Sequence, residues 1–175
     1  MRSIPVACSL LLMSKAVLAQ TTAFPTMLAD WQRDKGNVLA YIAAMPDSAM
    51  TYRPTPGVRT FAEQIDHIVI SNVEIAAIAL LGEKEAPALG DRAKFLRDKA
   101  ALQAYAEAAY DYVLSAMQRA SPEQWQRQSP MYGQPPELPA RWLDLAHEHS
   151  AWTLGQVVPY LRLNGVTPPT YSMPF

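Results

Sequence analysis

Three histidines, His67, His147 and His149, are the only imidazoles in this chain of 175 residues. They are also its best candidates for chemistry. Imidazole suits zinc, copper, iron and nickel, and it can serve as an acid or a base near neutral pH. Glu63 lies four residues before His67, so on a helix the two would share a face, and a carboxylate could join an imidazole there. Ser71 lies four residues after His67, within hydrogen-bonding reach. No acidic residue completes a hydrolase triad at that place, so nucleophilic catalysis is not expected. His147 and His149 are two apart, and on a helix they point to different sides. A lone histidine on an apolar helix face is ordinarily a hydrogen-bonded core residue. His67 and His149 become a site only if the fold brings them together.

The elements that would do so are helices. Leu28, Trp31, Val38, Leu39 and Ile42 form an apolar stripe from about Thr26 to Ala44, broken by Lys35 and stopped by Pro46. Thr60-Phe61-Ala62-Glu63 is a capping box that opens a second helix, carried by Ile65, Ile68, Val69, Ile75, Ala76 and Ala79 and ended by Gly82. The stretch from Glu83 to Arg97, with Pro87 and Gly90, predicts a long crossover. Asp98 is a good N-cap for a third helix through Leu102, Tyr105, Ala109, Tyr112, Val113 and Met117. Ser121-Pro122-Glu123 opens a short extra turn. After a proline-rich loop over Ser129 to Pro139, a fourth helix runs from about Ala140 to Asn164. Gly165 and Pro168-Pro169 end it, and Pro159 predicts a kink that Gly155 would ease. No segment alternates like a half-buried strand. The expected fold is all-α, a four-helix bundle with one long crossover connection. Trp142, Trp152, Tyr105, Tyr110 and Tyr112 read as core or cleft-lining aromatics, and Arg162 as a charge favoured near a helix C-terminus.

Half of the residues are hydrophobic and 18% are charged, which excludes a disordered chain. The net charge of −1 shows no basic excess, so no nucleic-acid partner is expected. Residues 1–19 read as a signal peptide. Arg2 gives a positive start, Ile4 to Leu18 is mostly apolar, and Val17-Leu18-Ala19 sets small residues for cleavage before Gln20. Lys15 is atypical in such a core. The apolar run is too short for a membrane span, no other stretch is expected to span one, and the protein should be periplasmic or secreted. The lone Cys8 falls inside the leader. Residues 20–175 would then form the bundle domain.

Two stretches resemble the DinB-like four-helix bundle family. One is Arg59-Thr60-Phe61-Ala62-Glu63-Gln64-Ile65-Asp66-His67-Ile68. The other is Leu145-Ala146-His147-Glu148-His149 followed by Gly155-Gln156-Val157-Val158-Pro159-Tyr160-Leu161-Arg162-Leu163-Asn164-Gly165-Val166-Thr167-Pro168-Pro169. The resemblance implies a divalent metal, zinc or nickel, held by three histidines: one on the second helix and two, four apart, on the fourth. His67 and His149 match, and the third position is Thr153. A neutral hydroxyl is a poor zinc ligand, and Glu63 is the alternative carboxylate, already engaged as a cap. Characterised relatives are metal-dependent thiol transferases or isomerases, in which the metal favours a bound thiolate. That cytoplasmic thiol chemistry agrees poorly with an exported chain lacking one histidine. The expected function is therefore that of an exported DinB-like protein binding a divalent metal weakly, or a small-molecule ligand, at a His67/His149 cleft. A metal-dependent transferase or hydrolase is the alternative, and a structural module or homodimer is another, since bundle faces can pair subunits.

Overall fold

The computed structural model describes the backbone of residues 7–174 and the side chains of residues 24–174. The expected leader and its cleavage site fall outside the residues whose side chains are described. Helix α1 spans Ala7–Ala44 and contains the predicted stretch from Thr26. Helix α2 spans Phe61–Glu74 and continues as a π-helical segment over Ile75–Leu81. Then come α3 (Arg92–Phe95), α4 (Lys99–Arg119), α5 (Pro122–Gln126) and α6 (Pro139–Leu163). Among the described residues the only β pairing is an isolated bridge between Ser129 and Glu137.

The four long helices form the expected bundle. Helix α1 packs on α4 and α6, and α2 packs on the same two. Their directions follow from cross-links. Lys35 and Asp34 on α1 meet Asp111 and Tyr110 on α4, while Asp47 just past α1 meets Lys99, so α1 and α4 are antiparallel. Asp66 meets Tyr105, and Asn72 meets Tyr110, so α2 and α4 run parallel. Parallel neighbours need a connection as long as the bundle, and residues 83–98 supply it.

Local chemistry sets the helix ends. Thr60 and Glu63 close a reciprocal capping box, at 3.2 Å from Glu63 N to Thr60 Oγ1 and 2.7 Å from Thr60 N to Glu63 Oε2. Asp98 caps α4 through Ala101 N at 2.7 Å. Ser121 and Gln124 form a second capping box at α5. Gly82 ends the π segment at φ +77°, and Arg127 lies against it. The Arg127 guanidinium donates to the carbonyls of Ile78, Ala79 and Leu80, and Gln124 donates to that of Leu81, so the widened last turn keeps partners for its orphan carbonyls. Helix α6 stays helical through Pro159, which faces solvent.

Two expectations need correction, and the crossover carries an element of its own. It holds α3, capped by Asp91 and packed on α4, with Phe95 stacked on Tyr105 at 3.9 Å between ring centres. Trp152 is 72% exposed, not in the core, because its helix position faces away from α1 and α2. Finally, Phe61–Leu81 does reach membrane-crossing length and composition, with 21 residues and a mean hydropathy of 1.4. Two thirds of it is buried inside the bundle, since α2 is covered by α4 and α6 on two sides and by the crossover. Its apolar residues go to the core.

Candidate functional site

His67 and His149 do come together. Their Nε2 atoms lie 3.2 Å apart across the α2–α6 interface, and the rings meet edge to face at 4.8 Å between centres. The antiparallel register of α2 and α6 makes this meeting. It is fixed on either side by Asn72 with Ser150 at 2.9 Å and by Gln64 with Gln156 at 2.9 Å. Both imidazoles are half-buried. Burial foremost, then the positive charge of Arg59, lowers the pKa of each, and Asp66 acts weakly the other way on His67. The pair is therefore held neutral, the state in which a ring nitrogen can accept a proton or bind a metal.

Two cavities share His67 as a wall, and His149 lines only the apolar one. One, of about 370 Å³, is apolar. Ile75, Leu145, Ala146 and Trp142 wall it, and Tyr132 from the loop before α6 covers it beside His67 and His149. Trp142 is pinned by its Nε1 donating to Ser129 O at 2.8 Å, and Tyr132 lies edge-on to it. Tyr132 holds a left-handed backbone at φ +52°, and its hydroxyl donates to Glu74 at 3.0 Å. The other cavity, about 520 Å³, is lined by Arg53, Arg59 and Arg92 together with Glu63, Asp66 and His67. The crossover thus contributes to the site, since Arg92 of α3 clamps buried Asp66 through Nε at 3.0 Å and Nη2 at 2.8 Å. Tyr105 donates to the other oxygen of Asp66 at 3.1 Å.

The remaining sequence candidates separate. Thr153 is buried, at 3% exposure, and lines neither cavity. Glu63 is spent on its cap and on Arg53 at 3.5 Å. Ser71 donates to the carbonyl of His67, not to its ring. His147 points away, against Trp31 of α1. Among the described residues no group of three His, Cys, Asp or Glu side chains could hold a metal. The fit to a metal is therefore partial. Two imidazoles on one tetrahedral zinc would have nitrogens about 3.3 Å apart, which the observed pair matches, but a third strong protein ligand is lacking.

Sequence reasoning missed a second polar cluster. Asp34 on α1 is fully buried and accepts from Tyr110 at 2.7 Å, and Asn72 and Ser150 extend the chain of contacts. Burial raises the Asp34 carboxyl, against the hydrogen bond from Tyr110. Burial and the adjoining Asp34 push the Tyr110 phenol well above its ordinary value. Asp34 lies three residues after Trp31 and four before Val38, inside the apolar stripe, and that spacing was the one available signal.

Comparison with known proteins gives the same architecture. The family model of the DinB superfamily matches residues 30–157, and the chain belongs to that superfamily. A crystal structure of a DinB-like protein from Bacillus subtilis superposes with a TM-score of 0.67 at 17% identity, covering 84% of this chain and 97% of that one. A DinB-like protein from Bacillus cereus superposes with a TM-score of 0.62 at 16% identity, covering 83% and 95%. At these identities the likeness concerns the fold. A comparison with curated proteins finds no match.

Proposed function

We propose that this DinB-superfamily protein is an exported binder of small ligands, whose His67/His149 cleft also takes a divalent metal, zinc or nickel, weakly. The observation that supports this best is the 3.2 Å approach of two neutral imidazole nitrogens from different helices beside an apolar cavity. His67 and His149 would hold the metal, and water or a ligand would complete its shell. A metal bound there would supply Lewis acidity to whatever oxygen or sulfur joined it. The chain itself orients both rings through α2 and α6, and it keeps them neutral by burial and by Arg59. Export rests on the leader-like residues 1–19. It is tested by the intact mass of native material, where retention of residue 1 contradicts it.

The metal reading is tested by thermal unfolding of the untagged mature protein with zinc or nickel. Metal that binds only the folded form stabilises it by mass action, about 2.7 kcal/mol at a hundredfold excess over its dissociation constant. Wild type should respond only at high metal concentration, and His149→Ala should not respond at all. Thr153→His adds an imidazole one turn from His149 and should raise the affinity, after an overpacking penalty of about 1–3 kcal/mol at this buried position. If wild type and His149→Ala respond alike, the metal reading fails.

A second reading, pairing of two copies, is favoured by Trp152 and Leu163. They are 72% and 62% exposed and lie three turns apart on one outer face of α6. Sedimentation of wild type and Trp152→Ser tests it: a dimer lost in the variant supports it, and a wild-type monomer at high concentration ends it.

A further inference from the structure

We infer that the cleft takes a singly charged amphiphile, a small carboxylate with an apolar body, with its head at Arg59 and its body in the cavity beneath Tyr132 and Trp142. The inference rests on the cleft being the ligand site, as proposed above, and not on metal occupancy.

The argument begins with charge. Arg53, Arg59 and Arg92 line the polar cavity with two carboxylates, Glu63 and Asp66. Arg92 is taken by Asp66, whose other oxygen is filled by Tyr105. Arg53 reaches Glu63, which also caps α2. Arg59 has no carboxylate partner among the described residues, so the cavity carries one guanidinium in excess. Its backbone is held in place, because Tyr160 donates to the Arg59 carbonyl at 2.8 Å. Its side chain lines the same cavity as His67, which places it beside the pair. A guanidinium in this position recognises a carboxylate as a planar fork.

On the far side of the histidines the surroundings change. The adjoining cavity is walled by Ile75, Leu145, Ala146 and Trp142, and its volume of about 370 Å³ falls in the range of small-molecule sites. His67 belongs to both cavities, so one molecule can lie against the ring with its charge on one side and its apolar body on the other. The two imidazoles add hydrogen-bonding capacity beside the guanidinium. A dianion would leave one charge uncompensated, and a cation would meet the excess guanidinium. Tyr132, tied to Glu74 in a left-handed backbone, covers the apolar end and limits the length of the body.

The test uses three probes, octanoate, octanamide and acetate, titrated calorimetrically into the mature chain with and without Arg59→Gln. Arg59 is exposed, so this variant should fold. Octanoate should bind about tenfold or more tightly than octanamide, because an ionic hydrogen-bonded pair is lost in the amide. Acetate should bind far more weakly than octanoate. Arg59→Gln should level octanoate with octanamide. Equal affinity of octanoate and octanamide in wild type, an acid preference that survives Arg59→Gln, acetate binding as tightly as octanoate, or no binding of either eight-carbon probe each overturns the inference. Zinc titration of the same samples reports the metal reading separately. Octanoate binding without a zinc response sinks only the metal reading, and zinc binding without octanoate sinks only this one.

Discussion

Two histidines separated by one residue on α6 have opposite fates. His149 opens on the apolar cavity and meets His67, while His147 turns inward against Trp31, and its Nε2 is buried without a hydrogen-bond partner among the described residues. Around His147 lies a sealed cluster of Asp34, Tyr110, Asn72 and Ser150, drawn from all four long helices. Around His149 several groups are half-buried, and one, Tyr132, is an exposed loop residue. Both clusters are polar islands in an apolar bundle. The sealed one links the helices through hydrogen bonds that no ligand can reach. The open one keeps two ring nitrogens turned to one another and to space that a ligand can enter. A buried titratable group is thus not in itself a functional one, and access separates the two.

The largest effect should come from breaking the sealed side. Trp31 is 1% exposed and touches both Tyr110 and His147, so Trp31→Ala should destabilise the fold by about 3–5 kcal/mol in denaturant unfolding. A midpoint close to wild type would show that α1 is not integral to the core. Tyr110→Phe comes next. It removes the donor to the buried Asp34 carboxyl, and leaving that acceptor without it should cost about 1–3 kcal/mol, with small-ligand binding at the cleft retained. Loss of binding together with stability would show that the two islands are coupled.

On the open side the effects on stability should be smaller. Tyr132→Gly relieves a left-handed backbone but removes the cover of the apolar cavity and the bond to Glu74, so stability should shift by less than about 1 kcal/mol while octanoate affinity falls. An unchanged affinity would remove Tyr132 from the site. The smallest effect is that of pH. His67 and His149 are both held below their ordinary value of 6.5, so the unfolded chain binds more protons than the folded one as pH falls through that region. Their contribution is complete above 6.5 and is lost on the acid side. Replacing both with Gln should flatten the decline in unfolding midpoint below about pH 6.5. An identical decline in the variant would place the acid sensitivity elsewhere.

What could be read from the residues follows from range. Thr60 with Glu63, Asp98, Ser121 and Gly82 mark helix ends, and all do so in the structure, because a cap satisfies backbone groups only three or four residues away. The apolar periods gave the four long helices, and the length of the crossover gave the parallel pair. The spacing of His149 and His147 gave their divergence. The same reasoning misplaced Trp152, since a helix pattern shows which residues share a face but not whether a neighbour covers it. It did not find Asp34, because a buried carboxylate is recognisable only with its donor, and Tyr110 is on another helix. It had no access to Arg92 on Asp66 or to Tyr132 over the cavity, which depend on where a long connection and a loop settle. The sequence by itself determined the helices, their ends and the two candidate imidazoles, because those signals act within a few residues of one another. That His67 and His149 stand 3.2 Å apart was decided only by the tertiary structure, since 82 positions separate them and the antiparallel register of α2 on α6 is what closes that distance.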